Sequence, residues 1–152
     1  MSLNRSLEIV RWAPTHYVFV ERVGPFNETV PKSWAEFHAL VAGIRDKNKI
    51  EKYFAEYKVG LKAVYRAGVS LAEAPVDLPA GVRYELVPGG KYCQFTYVGP
   101  YTGLPIASGE VWSHVREKEI AVRDDFALEH YTNDPQTTPE TELVTKILIP
   151  MM

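Results

Sequence analysis

Glu129, in "ALEHY" (Ala127 to Tyr131), is the residue with the clearest chemical potential in the chain. Side chains alternate along an extended strand, so Ala127, Glu129 and Tyr131 share one face and Leu128 and His130 share the other. A carboxylate between a small residue and a tyrosine, on a sheet face turned away from helices, suits a pocket with an acidic floor. Removing it from water is costly unless it is paired or neutralised, and a ligand cation supplies the pair. Rings around such a cation add about 0.5–2 kcal/mol each. The alternative, which spacing alone leaves open, is a solvent-exposed glutamate at a sheet edge.

The rings are available: 9 Tyr, 6 Phe and 3 Trp stand among 152 residues. Tyr65 and Tyr131 each close a strand and are expected at similar places in two halves of the chain. Tyr131 shares a face with Glu129, so its hydroxyl can bond the carboxylate or a ligand. Trp112 lies in the half that carries the acid, and Phe26 and Tyr101 come just after Gly-Pro turns. Phe19 and Tyr97 are further wall candidates. Each of these rings would also be at home in a plain core. Other chemistries find little support. His16, His38, His114 and His130 have no metal-ligand spacing, and the single Cys93 excludes an internal disulfide or a multi-cysteine zinc site. Neither a phosphate-binding glycine loop nor a serine nucleophile elbow is present, so no cofactor is expected.

The elements that must hold these residues are written nearly twice. "YVFVERVGPF" (Tyr17 to Phe26) and "YCQFTYVGPY" (Tyr92 to Tyr101) are 75 positions apart and share Tyr, Val, Gly and Pro at matching places. Strands are predicted at Ser6 to Trp12 and Tyr17 to Val23. A helix follows, carried by Val30, Trp34, Phe37, Val41 and Ile44. Asn48 and Glu51 fit a capping box, which predicts a further helical turn or two with Ile50, Tyr53, Phe54 and Tyr57 on its apolar face. Lys58 to Gly68 reads as one strand and Ser70 to Gly81 as a linker. Strands flanking Pro88-Gly89-Gly90 suggest a hairpin. A helix from about Pro105 to Lys118, with Trp112 and Val115 inward, and strands at Phe126 to Pro135 and Glu142 to Pro150 complete the chain. The expected class is α+β: one domain over residues 1–152, with repeat halves at about 6–68 and 82–150, an antiparallel sheet, and helices on one face.

The net charge of −2 and scattered Lys and Arg argue against direct nucleic-acid binding. No apolar run approaches a membrane span, and the lone cysteine fits a cytoplasmic protein.

"VGPFNETVPKSW", "GGKYCQFTYVGPY" and above all "LEHYTNDPQTTPETELVTKILIP" resemble the gyrase-inhibitor-like (GyrI-like) small-molecule-binding family. The resemblance covers roughly Leu7 to Pro150, and its most specific part is Leu128, Glu129, His130, Tyr131, Asn133 and Asp134 with the strand closing on Pro150. It implies two pseudo-symmetric strand–helix–strand–strand units and a stand-alone domain. It also implies a hydrophobic small-molecule ligand, cationic where Glu129 is its partner, held in a cleft between the halves for sensing, sequestration or toxin protection. A hydrolase branch of the family gives the alternative, in which Glu129 activates water and Tyr131 assists in opening cyclopropane-bearing toxins. A weaker implication is contact with gyrase.

Overall fold

The computed structural model describes residues 2–152. Among them, eight strands and two α-helices form an α+β fold that divides into two compact units.

The continuous unit is Ala13–Gly89. It contains β2 (Thr15–Val23), α1 (Phe26–Arg45), β3 (Ile50–Val59), β4 (Ala63–Leu71) and β5 (Arg83–Val87). Its strands are antiparallel in the order β3-β4-β2-β5. Helix α1 buries Thr29, Ser33, Phe37, Val41 and Ile44, a stripe with steps of three and four. The stripe packs on the sheet face that carries Val18, Val20, Ala67 and Val69, all buried. Two contacts fix that face: Arg22 of β2 bonds Glu36 of α1 at 2.9 Å, and Trp34 Nε1 donates to Tyr65 Oη at 2.7 Å.

The split unit joins residues 2–12 to Gly90–Met152. It contains β1 (Ser2–Trp12), β6 (Gly90–Val98), a 3-10 turn (Tyr101–Gly103), α2 (Leu104–Glu117), β7 (Ala127–Tyr131), a second 3-10 turn (Glu140–Glu142) and β8 (Val144–Pro150). The order is β1-β6-β8-β7, again antiparallel. Helix α2 buries Leu104, Ala107, Val111 and Val115. Its side of the sheet is the one holding Phe95, whose ring meets His114 of α2 at 5.7 Å.

The doubled Val-Gly-Pro-aromatic line marks equivalent junctions. Gly24 N donates to Ala63 O and Gly99 N to Leu143 O, so each glycine ties the end of one strand to the start of another. Their φ values of 142° and 148° are open to glycine and strained for other residues.

Three expectations change. Residues 50–59 are strand β3 rather than helical turns, and a turn at 60–62 splits the expected single strand into β3 and β4. Phe54, Ala55 and Glu56 are all buried, so both strand faces are covered and the alternation that marks a strand is lost. The glycine turn near Pro88 joins no hairpin, because β5 pairs with β2 while β6 pairs with β1 and β8. The halves expected at about 6–68 and 82–150 trade their leading strands: β1 belongs with β6, and β5 with β2.

Candidate functional site

Strand register places Glu129 opposite Ile147, and Ile147 opposite Phe95. Directly paired residues share a face. Glu129 therefore lies on the α2 side of its sheet, not on the side turned away from helices. Alternation fixed which residues share a face with Glu129 but carried no information on which face receives the helix. His130 points the other way, edge-on to Trp12 at 5.7 Å.

Tyr131 Oη donates to Glu129 Oε1 at 3.0 Å. The Tyr131 ring meets Tyr101 at 5.3 Å between centroids. All three residues are half-buried, between closed core and open solvent. Burial pushes the Glu129 carboxyl up to about 6, with the Tyr131 hydrogen bond pulling weakly the other way. Among the described residues, that hydroxyl is the one polar partner of the carboxylate. Tyr101's hydroxyl is held above its ordinary range by burial and then by the charge of Asp134. The arrangement is an acid with a pKa of about 6, bonded to one tyrosine whose ring meets a second, and unmatched by a protein cation.

The other expected residues fall into four places. Tyr97 is buried on the same sheet face, and its hydroxyl donates to Pro100 O at 2.8 Å, which makes it a support for the turn before α2. Trp112 is half-buried and stands beside the inward stripe of α2 rather than in it. Phe26 and Tyr65 belong to the continuous unit, where Phe26 contacts both Tyr57 (5.9 Å) and Tyr65 (6.1 Å). Phe19 lies on that unit's opposite sheet face, beneath the Arg66 guanidinium at 4.5 Å.

The structure corrects one pairing. Tyr65 is not the counterpart of Tyr131. Ala63 and Leu143 are equivalent through their bonds to the two junction glycines, so Tyr65 matches Thr145. Tyr57, opposite Tyr65, then matches Tyr131, opposite Thr145, and Ala55 stands where the split unit has Glu129. The Phe26–Tyr57 contact repeats the Tyr101–Tyr131 contact. Trp34 was set below Trp112 as a wall candidate in the sequence, and Tyr57 went unnoticed. The signal available for Tyr57 was its place opposite the strand that follows the junction, obscured by reading residues 50–57 as helix.

The family of GyrI-like small-molecule-binding domains matches residues 6–152. The chain belongs to that family. It is 25% identical over 137 residues to a DNA gyrase inhibitor of Yersinia enterocolitica, covering 85% of this chain and 87% of that one. The C-terminal domain of EcmrR shares the fold with a TM-score of 0.79 at 12% identity, over 97% of both chains. Against EcmrR in its complex with DNA the chain spans 56% of the longer protein, at a TM-score of 0.76 and 12% identity over 95% of this chain. SAV2435, solved bound to tetraphenylphosphonium, gives 0.76 at 15% identity, covering 97% of this chain and 94% of that one. No helix among the described residues of this GyrI-like domain is long and apolar enough to cross a membrane.

Proposed function

We propose that this GyrI-like domain binds a hydrophobic cation on the α2 side of its split unit, with Glu129 as the charge partner and Tyr131 and Tyr101 as ring walls. The observation that carries the reading is the state of Glu129, whose carboxyl is raised to about 6 by burial and bonded only to a tyrosine hydroxyl. A cation placed there restores what burial removes, because an opposite charge nearby favours the ionised form. Tetraphenylphosphonium, the ligand bound to SAV2435, has the required chemistry: a delocalised charge inside an aromatic shell. Sequestration of such compounds is the role this supports.

The test is a calorimetric titration with tetraphenylphosphonium and with neutral triphenylphosphine oxide, on wild type and Glu129→Gln. The substitution keeps shape and removes charge. It is expected to weaken the cation by about 1–3 kcal/mol, the value of a hydrogen bond or contact to a charged group, and to leave the neutral compound nearly unchanged. Equal losses for both compounds sink the reading.

A second reading rests on the same raised carboxyl. An acid with a pKa near the working pH, beside a tyrosine hydroxyl, has the properties of a general acid–base pair. Incubation with cyclopropane- or epoxide-bearing compounds, followed by mass spectrometry, decides it. Water addition by wild type that Glu129→Gln lacks would make the protein a hydrolase, and recovery of unchanged compound would leave it a binder.

A further inference from the structure

β5 is the outer strand of the continuous unit, paired with β2 along one side and, among the described residues, with no strand along the other. We propose that this free edge pairs antiparallel with β5 of a second copy of the chain, joining two sheets across a twofold axis centred on Tyr84. The surface is separate from Glu129 and does not depend on the reading above.

An edge strand presents a row of unpaired amides and carbonyls, which folded proteins blunt with bulges, prolines, covering segments or charge. β5 has no bulge and no proline: it runs in unbroken register with β2, from Arg83 opposite Phe19 to Val87 opposite Thr15. Nor is it covered, since Arg83, Tyr84, Glu85 and Leu86 are all exposed, Leu86 at 52%. The outer strand of the split unit is different. β1 loses register with β6 between Asn4 and Glu8, and the Ser6 amide there donates to Asn4 Oδ1. Charge is the one guard left on β5, and it complements itself.

That charge selects the register. A twofold axis perpendicular to the sheet leaves every side chain on its own face, so the axis passes through a residue and not between two. Opposite charges directly across an antiparallel pair stabilise it, and like charges destabilise it. An axis at Arg83 sets Arg83 against its own copy, and an axis at Glu85 does the same to Glu85. An axis at Leu86 carries Arg83 past the end of the strand, opposite Gly89. An axis at Tyr84 sets Arg83 against Glu85 twice, once on each side, with Tyr84 meeting Tyr84 between them.

The groups that would pair are already oriented. Arg66 holds Glu85 through Oε2 at 2.7 Å, and Glu21 holds Arg83 through Nη1 at 2.8 Å, both on the sheet face of Tyr17 and Phe19. Glu85 Oε1 and Arg83 Nη2 keep no hydrogen bond among the described residues, and the side chains are 47% and 60% exposed. A bond between those two atoms across the axis runs Glu21 and Arg83 of one copy into Glu85 and Arg66 of the other. On the opposite face Tyr84 is held by His16, whose Nδ1 lies 2.8 Å from its hydroxyl and whose ring stacks on it at 6.0 Å. Side chains fixed beforehand lose less freedom on association. Pairing over five residues is short, so the dimer belongs with small, transient interfaces, with a dissociation constant of about 100 µM.

The experiment is sedimentation equilibrium of the whole chain from about 10 µM to about 1 mM, with ¹H–¹⁵N spectra over the same range. The average mass is expected to rise from one chain towards two, with concentration-dependent shifts gathered at the amides of residues 83–87. Arg83→Glu places two acids on the edge and Glu85→Arg two bases, so each variant repels its own copy. Each is expected to weaken self-association about tenfold or more. An equimolar mixture of the two is expected to regain it, because every contact across the axis is again acid against base. Glu129→Gln should associate as wild type does. If either variant fails to fold, the wild-type dilution series still decides. A mass of one chain throughout, shifts gathered at β1 instead of β5, or a mixture that associates no better than its components overturns the proposal.

Discussion

Glu129 of β7 and Glu56 of β3 are both carboxylates on strands removed from full solvent, and the protein treats them in opposite ways. Glu56, 1% exposed, is met by Arg66 Nη1 at 3.1 Å. The same guanidinium bonds Glu21 through Nε at 2.8 Å and Glu85 through Nη1 at 2.7 Å, and Arg83 adds a second bond to Glu21 at 2.8 Å. Arg66 and Arg83 both lie over the Phe19 ring, at 4.5 and 5.7 Å. The continuous unit has therefore built, from its own residues, what the split unit lacks at Glu129: a cation on an aromatic face, surrounded by acids. The difference teaches that burial of an acid is not in itself a sign of a ligand site. Under the proposed reading, the feature that marks Glu129 is that the chain supplies no cation to neutralise it.

The largest effect should come from attacking the filled arrangement. Arg66→Met leaves Glu56 buried without its cation, and is expected to cost about 3–5 kcal/mol of unfolding free energy, the range for breaking a buried pair by removing one partner. Adding Glu56→Gln should recover part of it. A loss below about 1 kcal/mol in urea denaturation would show that the network is no stronger than a surface pair, and the contrast with Glu129 would fail.

Glu129→Gln should do the reverse and stabilise the unliganded protein. The folded carboxyl titrates near 6 against an ordinary value of 4.5. A carboxyl with a raised folded pKa contributes stability that is fully present below the ordinary value and is lost as pH rises through 4.5 to about 6. Above that range the ionised group costs about 2 kcal/mol, and the neutral glutamine escapes this cost. Denaturation at pH 8 and pH 4 reads the effect: a gain of up to about 2 kcal/mol at the first and close to none at the second. Glu21 supplies the opposite sign within the same molecule. Burial pushes its carboxyl up, but Arg66 and Arg83 more than reverse that and hold it below the usual range. Its contribution is present above the ordinary value and is lost as pH falls through the depressed one. A pH profile without these two opposed contributions would break the comparison.

The smallest effect sharpens rather than tests it. Tyr131→Phe removes the one protein hydrogen bond that favours the ionised Glu129, worth about 1 kcal/mol. Side-chain NMR should find the Glu129 titration moved higher still. A titration left in place would show that the hydroxyl does not serve the charge.

Much of this was legible in the sequence, and the unevenness has physical causes. The Gly24-Pro25 and Gly99-Pro100 junctions showed through because positive φ and a helix start restrict residue choice locally. The shared face of Glu129 and Tyr131 showed through because alternation within five residues needs no knowledge of the rest of the fold. The helix-side placement of Glu129 did not, since it depends on which sheet face α2 covers. Nor did the Arg66 network, whose partners Glu21, Glu56 and Glu85 stand 45, 10 and 19 positions away and are gathered by three different strands. The β3–β4 hairpin was hidden because Phe54, Ala55 and Glu56 are buried consecutively, leaving no alternation to detect.

The exchange of leading strands also bears on how the chain is born. The continuous unit has all of its strands once Gly89 has been synthesised, and can close while the remainder is still being made. β1 precedes the continuous unit in the chain yet lacks its β6 partner until that strand has been made, because Trp12 waits for Gly90 and Ser2 for Val98. Closing so long a loop is entropically costly and slows the step that requires it. Until then β1 is an open edge strand, the kind of segment on which neighbouring chains aggregate. Clipping the first dozen residues would therefore leave the nearer unit whole and injure the farther one, the unit that carries Glu129.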